Sequence, residues 1–167
     1  GTAEDRPLNS IDKEKFVEMI HLLGGLYTTE IIGYCVLSNH FHLVLWAPSE
    51  KPSESEVQVR LQTTFLKRIV PDSGSAEMQK LQVRLRDISE FMKDLQMRFT
   101  CWYNRTRPVR RTGPLWGRRF KSVVLEGTGA QSAVWDCMKY IELNPVRARI
   151  VADPADYRWS SWGRFCG

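Results

Sequence analysis

The sequence predicts a single α+β domain, and three observations carry that expectation. Two apolar runs, Ile31 to Leu37 and His40 to Trp46, meet at Ser38-Asn39 and read as paired strands joined by a tight turn. Three segments, Ser10 to Leu23, Ile88 to Asn104 and Ala130 to Leu143, place apolar residues at helical spacing. A chain of 167 residues, 43% hydrophobic and 26% charged, is the size and composition of one ordinary domain, so one domain over residues 1–167 is expected.

Residues 1–9 are polar and irregular and read as a loop, as if the chain were entered part-way. In the first helix Ser10 is the expected N-cap, with Asp12 and Glu14 in the favourable first turn. Phe16, Val17, Ile20 and Leu23 form its apolar face, Gly24-Gly25 its expected stop, and His21 an ordinary residue of it. Pro48 closes the second strand. Residues 49–86 read as a helical insertion, with a helix candidate over Val57 to Val70, a break at Pro71 to Ser75 and a charged helical run to about Arg86. Asp87 and Glu90 have capping-box spacing, and Ile88, Phe91, Met92, Leu95, Phe99 and Trp102 mark a long amphipathic helix ending near Asn104.

Phe120 to Glu126 reads as a further strand. In the helix that follows, Val134, Cys137, Met138 and Ile141 form the buried stripe, which leaves Tyr140 about 100° round from Ile141, at its edge. Asn144 lies one turn beyond Tyr140 on the same side, and Pro145 limits how far a regular helix can run. Residues 145–151 read as a short helix, and Asp156 to Trp162 as an aromatic closing segment over a core face.

The longest apolar runs fall well short of a membrane span, and residues 1–30 lack a leader pattern, so a cytoplasmic protein without membrane association is expected. Cys35, Cys101, Cys137 and Cys166 are widely spaced, which argues against a zinc knuckle or a redox pair and for reduced thiols.

Side-chain chemistry narrows the function. His40 and His42 alternate with Phe41, so on a strand both imidazoles face one side, where they could converge on a divalent metal; a plain hairpin with two surface histidines has the same pattern. From Arg98 to Lys121 there are eight Arg or Lys residues and no Asp or Glu. Within that loop Arg105, Arg107, Arg110, Arg111, Arg118, Arg119 and Lys121 can pair with phosphates, and Trp116 and Phe120 can offer stacking faces, the combination that suits single-stranded nucleic acid. A solvated basic face is the alternative. Tyr140 reads as a rim tyrosine that packs its ring and wets its hydroxyl. If its helix packs so that Tyr140 faces the histidines, a metal held by His40, His42 and the Asn144 amide would polarise a phosphodiester oxygen, and the Tyr140 oxygen would attack phosphorus.

At these residues the chain resembles the single-tyrosine HUH transposases, and more closely the transposase-like proteins associated with repetitive extragenic palindromes. The matching segments are Leu37-Ser38-Asn39-His40-Phe41-His42-Leu43-Val44, the Phe91 to Asn104 helix running into Gly113-Pro114-Leu115-Trp116 and Arg119-Phe120-Lys121-Ser122, Tyr140-Ile141-Glu142-Leu143-Asn144-Pro145-Val146-Arg147-Ala148, and Asp156-Tyr157-Arg158-Trp159-Ser160-Ser161. The resemblance implies a ferredoxin-like antiparallel sheet with helices packed on one face, and nicking and rejoining of single-stranded DNA beside a hairpin. It matches His40 and His42 to the metal pair, Tyr140 to the nucleophile that forms a 5′-phosphotyrosine and frees a 3′-hydroxyl, and Asn144 to the polar metal ligand. The implied cofactor is Mg²⁺ or Mn²⁺, with Mn²⁺ expected to bind a two-imidazole site more tightly.

One departure is visible. Family members begin with a strand before the first helix, and this chain opens in the loop after it, so either the chain is truncated or another chain, as in a homodimer, supplies the pairing; otherwise the sheet carries an exposed edge beside the His-x-His strand. The expected activity is therefore a metal-dependent single-strand DNA endonuclease and strand transferase. A transposase-derived protein that binds DNA or RNA hairpins without catalysis is the alternative, and a phosphodiesterase using activated water is a third reading.

Overall fold

The computed structural model describes residues 7–64, 69–117, 120–125 and 130–167, with the side chains of 130–132 left aside. Helix and strand are mixed, as the α+β expectation requires: α1 (Ser10–Leu26), β1 (Glu30–Val36), β2 (Phe41–Trp46), α2 (Glu54–Thr63), α3 (Ala76–Leu85), α4 (Ile88–Thr106), α5 (Ala130–Glu142), α6 (Asn144–Arg147) and α7 (Ser161–Cys166), with a 3-10 turn at Pro154–Asp156. Among the described residues the sheet is the antiparallel pair of β1 and β2, and no helix is long and apolar enough to cross a membrane. The chain gathers into two compact units. One takes the described parts of Gly1–Val17, Ile32–Val44 and Arg111–Gly167, and the other those of Glu18–Ile31 and Leu45–Arg110.

In the first unit the Leu37 N–H donates to the His40 carbonyl at 2.8 Å, which closes the hairpin around the two-residue Ser38-Asn39 loop. Cys35, Leu37, Val44, Ile141 and Tyr157 form the core, with Cys137, Met138, Val151 and Trp159 packed against it. Three of the four α5 residues of the stripe read from the sequence, Cys137, Met138 and Ile141, belong to this core; Val134 is half-buried outside it. Gly33 makes room for them, since a Cβ there would stand 2.4 Å from Met138 Cε. The closing aromatic segment covers the other edge of β1: Val36 N–H donates to Trp159 O at 3.0 Å, and the buried Tyr157 hydroxyl to Val36 O at 2.8 Å. The Ser161 hydroxyl accepts from Tyr34 N–H at 2.9 Å and donates to the Glu142 carboxylate at 2.5 Å, which ties the end of α5 to the start of α7. These contacts, with a Cys35–Ser160 bridge, cover the Tyr34–Val36 end of that edge.

In the second unit Tyr27, Leu85, Phe91, Leu95 and Phe99 are fully buried, and Tyr27 meets Phe91 edge-on at 5.4 Å. A polar knot is buried with them. Asp94, 2% exposed, accepts from the Tyr27 hydroxyl at 2.9 Å and lies 3.5 Å from Arg84. Burial, with Asp94 adding to it, pushes the Tyr27 phenol pKa up. The helices of residues 49–86 lie in this unit, capped by Ser53 and Ser75; the second, Ala76–Leu85, is the charged run expected to about Arg86, while the first starts earlier and stops earlier than Val57 to Val70. The first ends at Thr63, and residues 65–68 of its predicted span lie outside the described residues.

Four local expectations are corrected. Asn9, not Ser10, caps α1: its side-chain oxygen accepts from Asp12 N–H at 2.9 Å, and its own N–H donates to the Asp12 carboxylate at 3.0 Å. That reciprocal pair satisfies two otherwise orphaned groups, so Ser10 begins the helix. Gly24-Gly25 does not stop α1, which continues to Leu26. A Cβ at Gly24 would stand 2.6 Å from Ile31 Cδ1, and Leu26 is fully buried, so packing outweighs a glycine propensity cost of about 1 kcal/mol. The Asp87 carboxylate caps α4 through Ser89 and Glu90 N–H, but the reciprocal arm is absent, since Asp87 N–H donates to Arg84 O at 3.1 Å. Finally, Phe120 to Leu125 carries no strand, and Glu126 lies outside the described residues. Val123 is 85% and Val124 78% exposed. No described strand pairs with this run, and β propensity without a ladder partner does not make a strand.

Candidate active site

The site is assembled from β2 and α5, both read directly from sequence periodicity. The turn sets His40 immediately before β2 and His42 on it, with ring centroids 5.0 Å apart and planes at 90°. Phe41 between them goes to the opposite side and packs on Phe16 at 4.7 Å. On α5, Ile141 is buried in the core, so Tyr140 one residue before it falls at the rim, 48% exposed. There its ring stands edge-on to His42, centroids 5.9 Å apart and planes at 87°.

Burial lowers the pKa of both imidazoles from the ordinary histidine value, and at His42 the neighbouring His40 adds to the effect. Both rings are therefore neutral near pH 7 and keep a lone pair. At His40 the geometry also selects the nitrogen. Nδ1 lies 2.6 Å from Asn39 Oδ1, an acceptor, so Nδ1 carries the proton and Nε2 is left as the ligand atom.

Beyond Tyr140 the chain stays close to helical. Leu143, with φ −83° and ψ −4°, passes α5 into α6, whose first residue is Asn144. The Asn144 Nδ2 is buried without a hydrogen-bond partner, a condition that a native structure satisfies with a water, an ion or a ligand. Arg149 N–H donates to Val146 O and Ile150 N–H to Pro145 O, both at 2.9 Å, and Arg149 takes a φ of 57°. This is a Schellman ending, with arginine at the left-handed position that glycine usually fills. It terminates α6 just past Arg147, whose guanidinium carbon lies 5.0 Å from the centroid of the Tyr140 ring.

Among the described residues no three His, Cys, Asp or Glu side chains gather to hold a metal ion. A divalent cation here would rest on the imidazoles of His40 and His42, an amide oxygen from Asn144, and oxygens from solvent or substrate. Two neutral rings, one with its tautomer set, fit such an ion.

The structure brings His40, His42 and Tyr140 together and places Asn144 one turn further on. The basic residues are distributed differently. Arg105 and Arg110 are exposed in the second unit, where Arg107 lies 3.8 Å over the Tyr103 ring; Arg111 and Lys121 belong to the first unit, and Arg118 and Arg119 lie outside the described residues. Trp116, expected as a stacking face, packs on Phe41 at 5.3 Å and on Phe16 at 5.7 Å. Two members of the site escaped the sequence reading. Asn39 carries its signal in adjacency to His40, and Arg147 in its position seven residues after Tyr140, which a near-continuous helix returns to the same side.

Comparison of the chain with models of protein families, with curated proteins and with solved structures gives no match.

Proposed function

We propose that this chain is a metal-dependent single-strand DNA endonuclease and strand transferase of the HUH transposase type. It acts in the cytoplasm beside DNA hairpins, on a ferredoxin-like fold. The observation that carries the reading is the edge-on approach of the exposed Tyr140 ring to His42, beside a second neutral imidazole.

In the proposed step the Tyr140 oxygen loses its proton to solvent and attacks phosphorus. The P–O3′ bond breaks, the departing 3′-oxygen takes up a proton from solvent, and the 5′-phosphate remains on Tyr140. Attack of a 3′-hydroxyl on that phosphotyrosine reverses the chemistry and rejoins a strand. A bound Mg²⁺ or Mn²⁺ would supply polarisation of a non-bridging phosphate oxygen. His40 and His42 would hold it, and Asn39 keeps the His40 ring in the ligating tautomer.

The test is incubation of the full chain with labelled single-stranded DNA hairpins and Mn²⁺, followed by denaturing electrophoresis. A protein–DNA adduct is expected from the native chain and not from Tyr140→Phe. Hairpin binding without an adduct would leave a DNA-binding protein and remove the catalytic assignment.

A further inference from the structure

We infer that Arg147 is a substrate-binding residue that clamps the scissile phosphate against Tyr140. This rests on Tyr140 being the nucleophile. The guanidinium lies against the Tyr140 ring, with its carbon 5.0 Å from the centroid, while His42 meets the same ring edge-on at 5.9 Å. Arg147 is exposed and, among the described residues, makes no ion pair, so its donors are open to a ligand. A guanidinium presents parallel N–H donors that match two phosphate oxygens, and a positioned cation stabilises the charge that grows on those oxygens as phosphorus is attacked.

The backbone holds the group in place. The Schellman ending defines where α6 stops, and keeping it requires Arg149 at a φ of 57°. For a non-glycine residue that conformation costs about 1 kcal/mol. The Asn144 Nδ2, buried without a partner at the start of the same short helix, is a second donor on this segment lacking an acceptor. The exposed guanidinium against the Tyr140 ring, with an amide donor lacking an acceptor three residues before it, complements an anionic oxygen pair.

The experiment compares the full chain with Arg147→Gln, Arg147→Lys and Arg147→Met. The probe is a pool of labelled hairpin oligonucleotides with randomised single-stranded flanks, used with Mn²⁺, and the readouts are the rate of adduct formation and the salt dependence of binding. Arg147→Gln and Arg147→Met are expected to slow adduct formation about 100-fold and to reduce the log–log salt slope by about 0.7, the value of one single-strand phosphate contact, while Arg147→Lys recovers part of both. Recovery by Arg147→Met would show that the side chain only covers the ring, and would overturn the proposal. So would a changed rate with an unchanged slope, or a changed slope with an unchanged rate. Native adduct with an equal yield from Arg147→Gln removes Arg147 alone; no adduct from the native chain removes the nuclease reading and this inference with it.

Discussion

The imidazole of His42 stands edge-on to the ring of Tyr140, centroids 5.9 Å apart and planes at 87°. One of the two is placed by a local turn and the other by remote packing. His42 is set by the register that the Ser38-Asn39 turn imposes on β2, and Tyr140 by the burial of Ile141 and the entry of Met138 beside Gly33.

Under the proposed reading, Asn39 should matter to metal binding without being a ligand. Its carbonyl oxygen, 2.6 Å from His40 Nδ1, selects the tautomer that frees Nε2. Partners of this kind are typically worth about 10- to 100-fold in affinity. Asn39→Ala is therefore expected to weaken Mn²⁺ binding about tenfold, and His42→Ala to abolish it, in a titration followed by electron paramagnetic resonance. Equal affinity for Asn39→Ala and the native chain would show that the tautomer is held by something else.

Arg149 carries a removable strain. At φ 57° it occupies the C′ position of the Schellman ending, where a Cβ crowds the backbone and glycine does not. Arg149→Gly is expected to stabilise the fold by about 0.5–1 kcal/mol in urea unfolding. A loss of stability would mean that the arginine side chain contributes more than its backbone costs.

Gly163 is a position without such freedom. A Cβ there would stand 2.1 Å from Tyr157 O and 2.5 Å from its carbonyl carbon, backbone atoms that α7 and the 3-10 turn hold in place. Gly163→Ala should cost about 2–3 kcal/mol, the upper part of the usual overpacking range. Gly33→Ala meets side-chain atoms rather than backbone, the flexible end of Met138 and, at 3.2 Å, Ser161 Oγ, so its cost should be smaller. Thermal unfolding of the two variants side by side decides the point, and the reverse order would contradict the packing described for α7.

Alkaline pH should destabilise the protein through Cys35. Burial pushes this thiol from its ordinary value of 9.0 up to about 12. Between those values the unfolded chain has released the proton and the folded chain retains it, so the folded state binds more protons and rising pH lowers stability. The contribution is intact below pH 9 and is lost as pH rises towards 12; burial raises the Tyr34 and Tyr157 phenols as well, which acts in the same direction. The melting temperature is expected to fall above pH 9, less steeply in Cys35→Ala. An unchanged slope in that variant would assign the alkaline transition to the tyrosines.

Helical stripes, strand alternation and turn chemistry are properties of neighbouring residues. They suffice for α4, α5 and the β1–β2 hairpin, and for picking out His40, His42, Tyr140 and Asn144 as candidates for the proposed site. They fail where a remote contact outweighs a local preference: Gly24-Gly25 stays helical because Leu26 is buried, and Val123-Val124 stays out of the sheet because no described strand pairs with it. The meeting of His42 with Tyr140, about a hundred residues apart in the chain, and of Tyr140 with Arg147 across the α5–α6 junction, came from packing. Which side chains can do chemistry is written in their types and spacing. Whether they face one another depends on burial of the residues beside them, Ile141 above all, and that is settled only when the core closes.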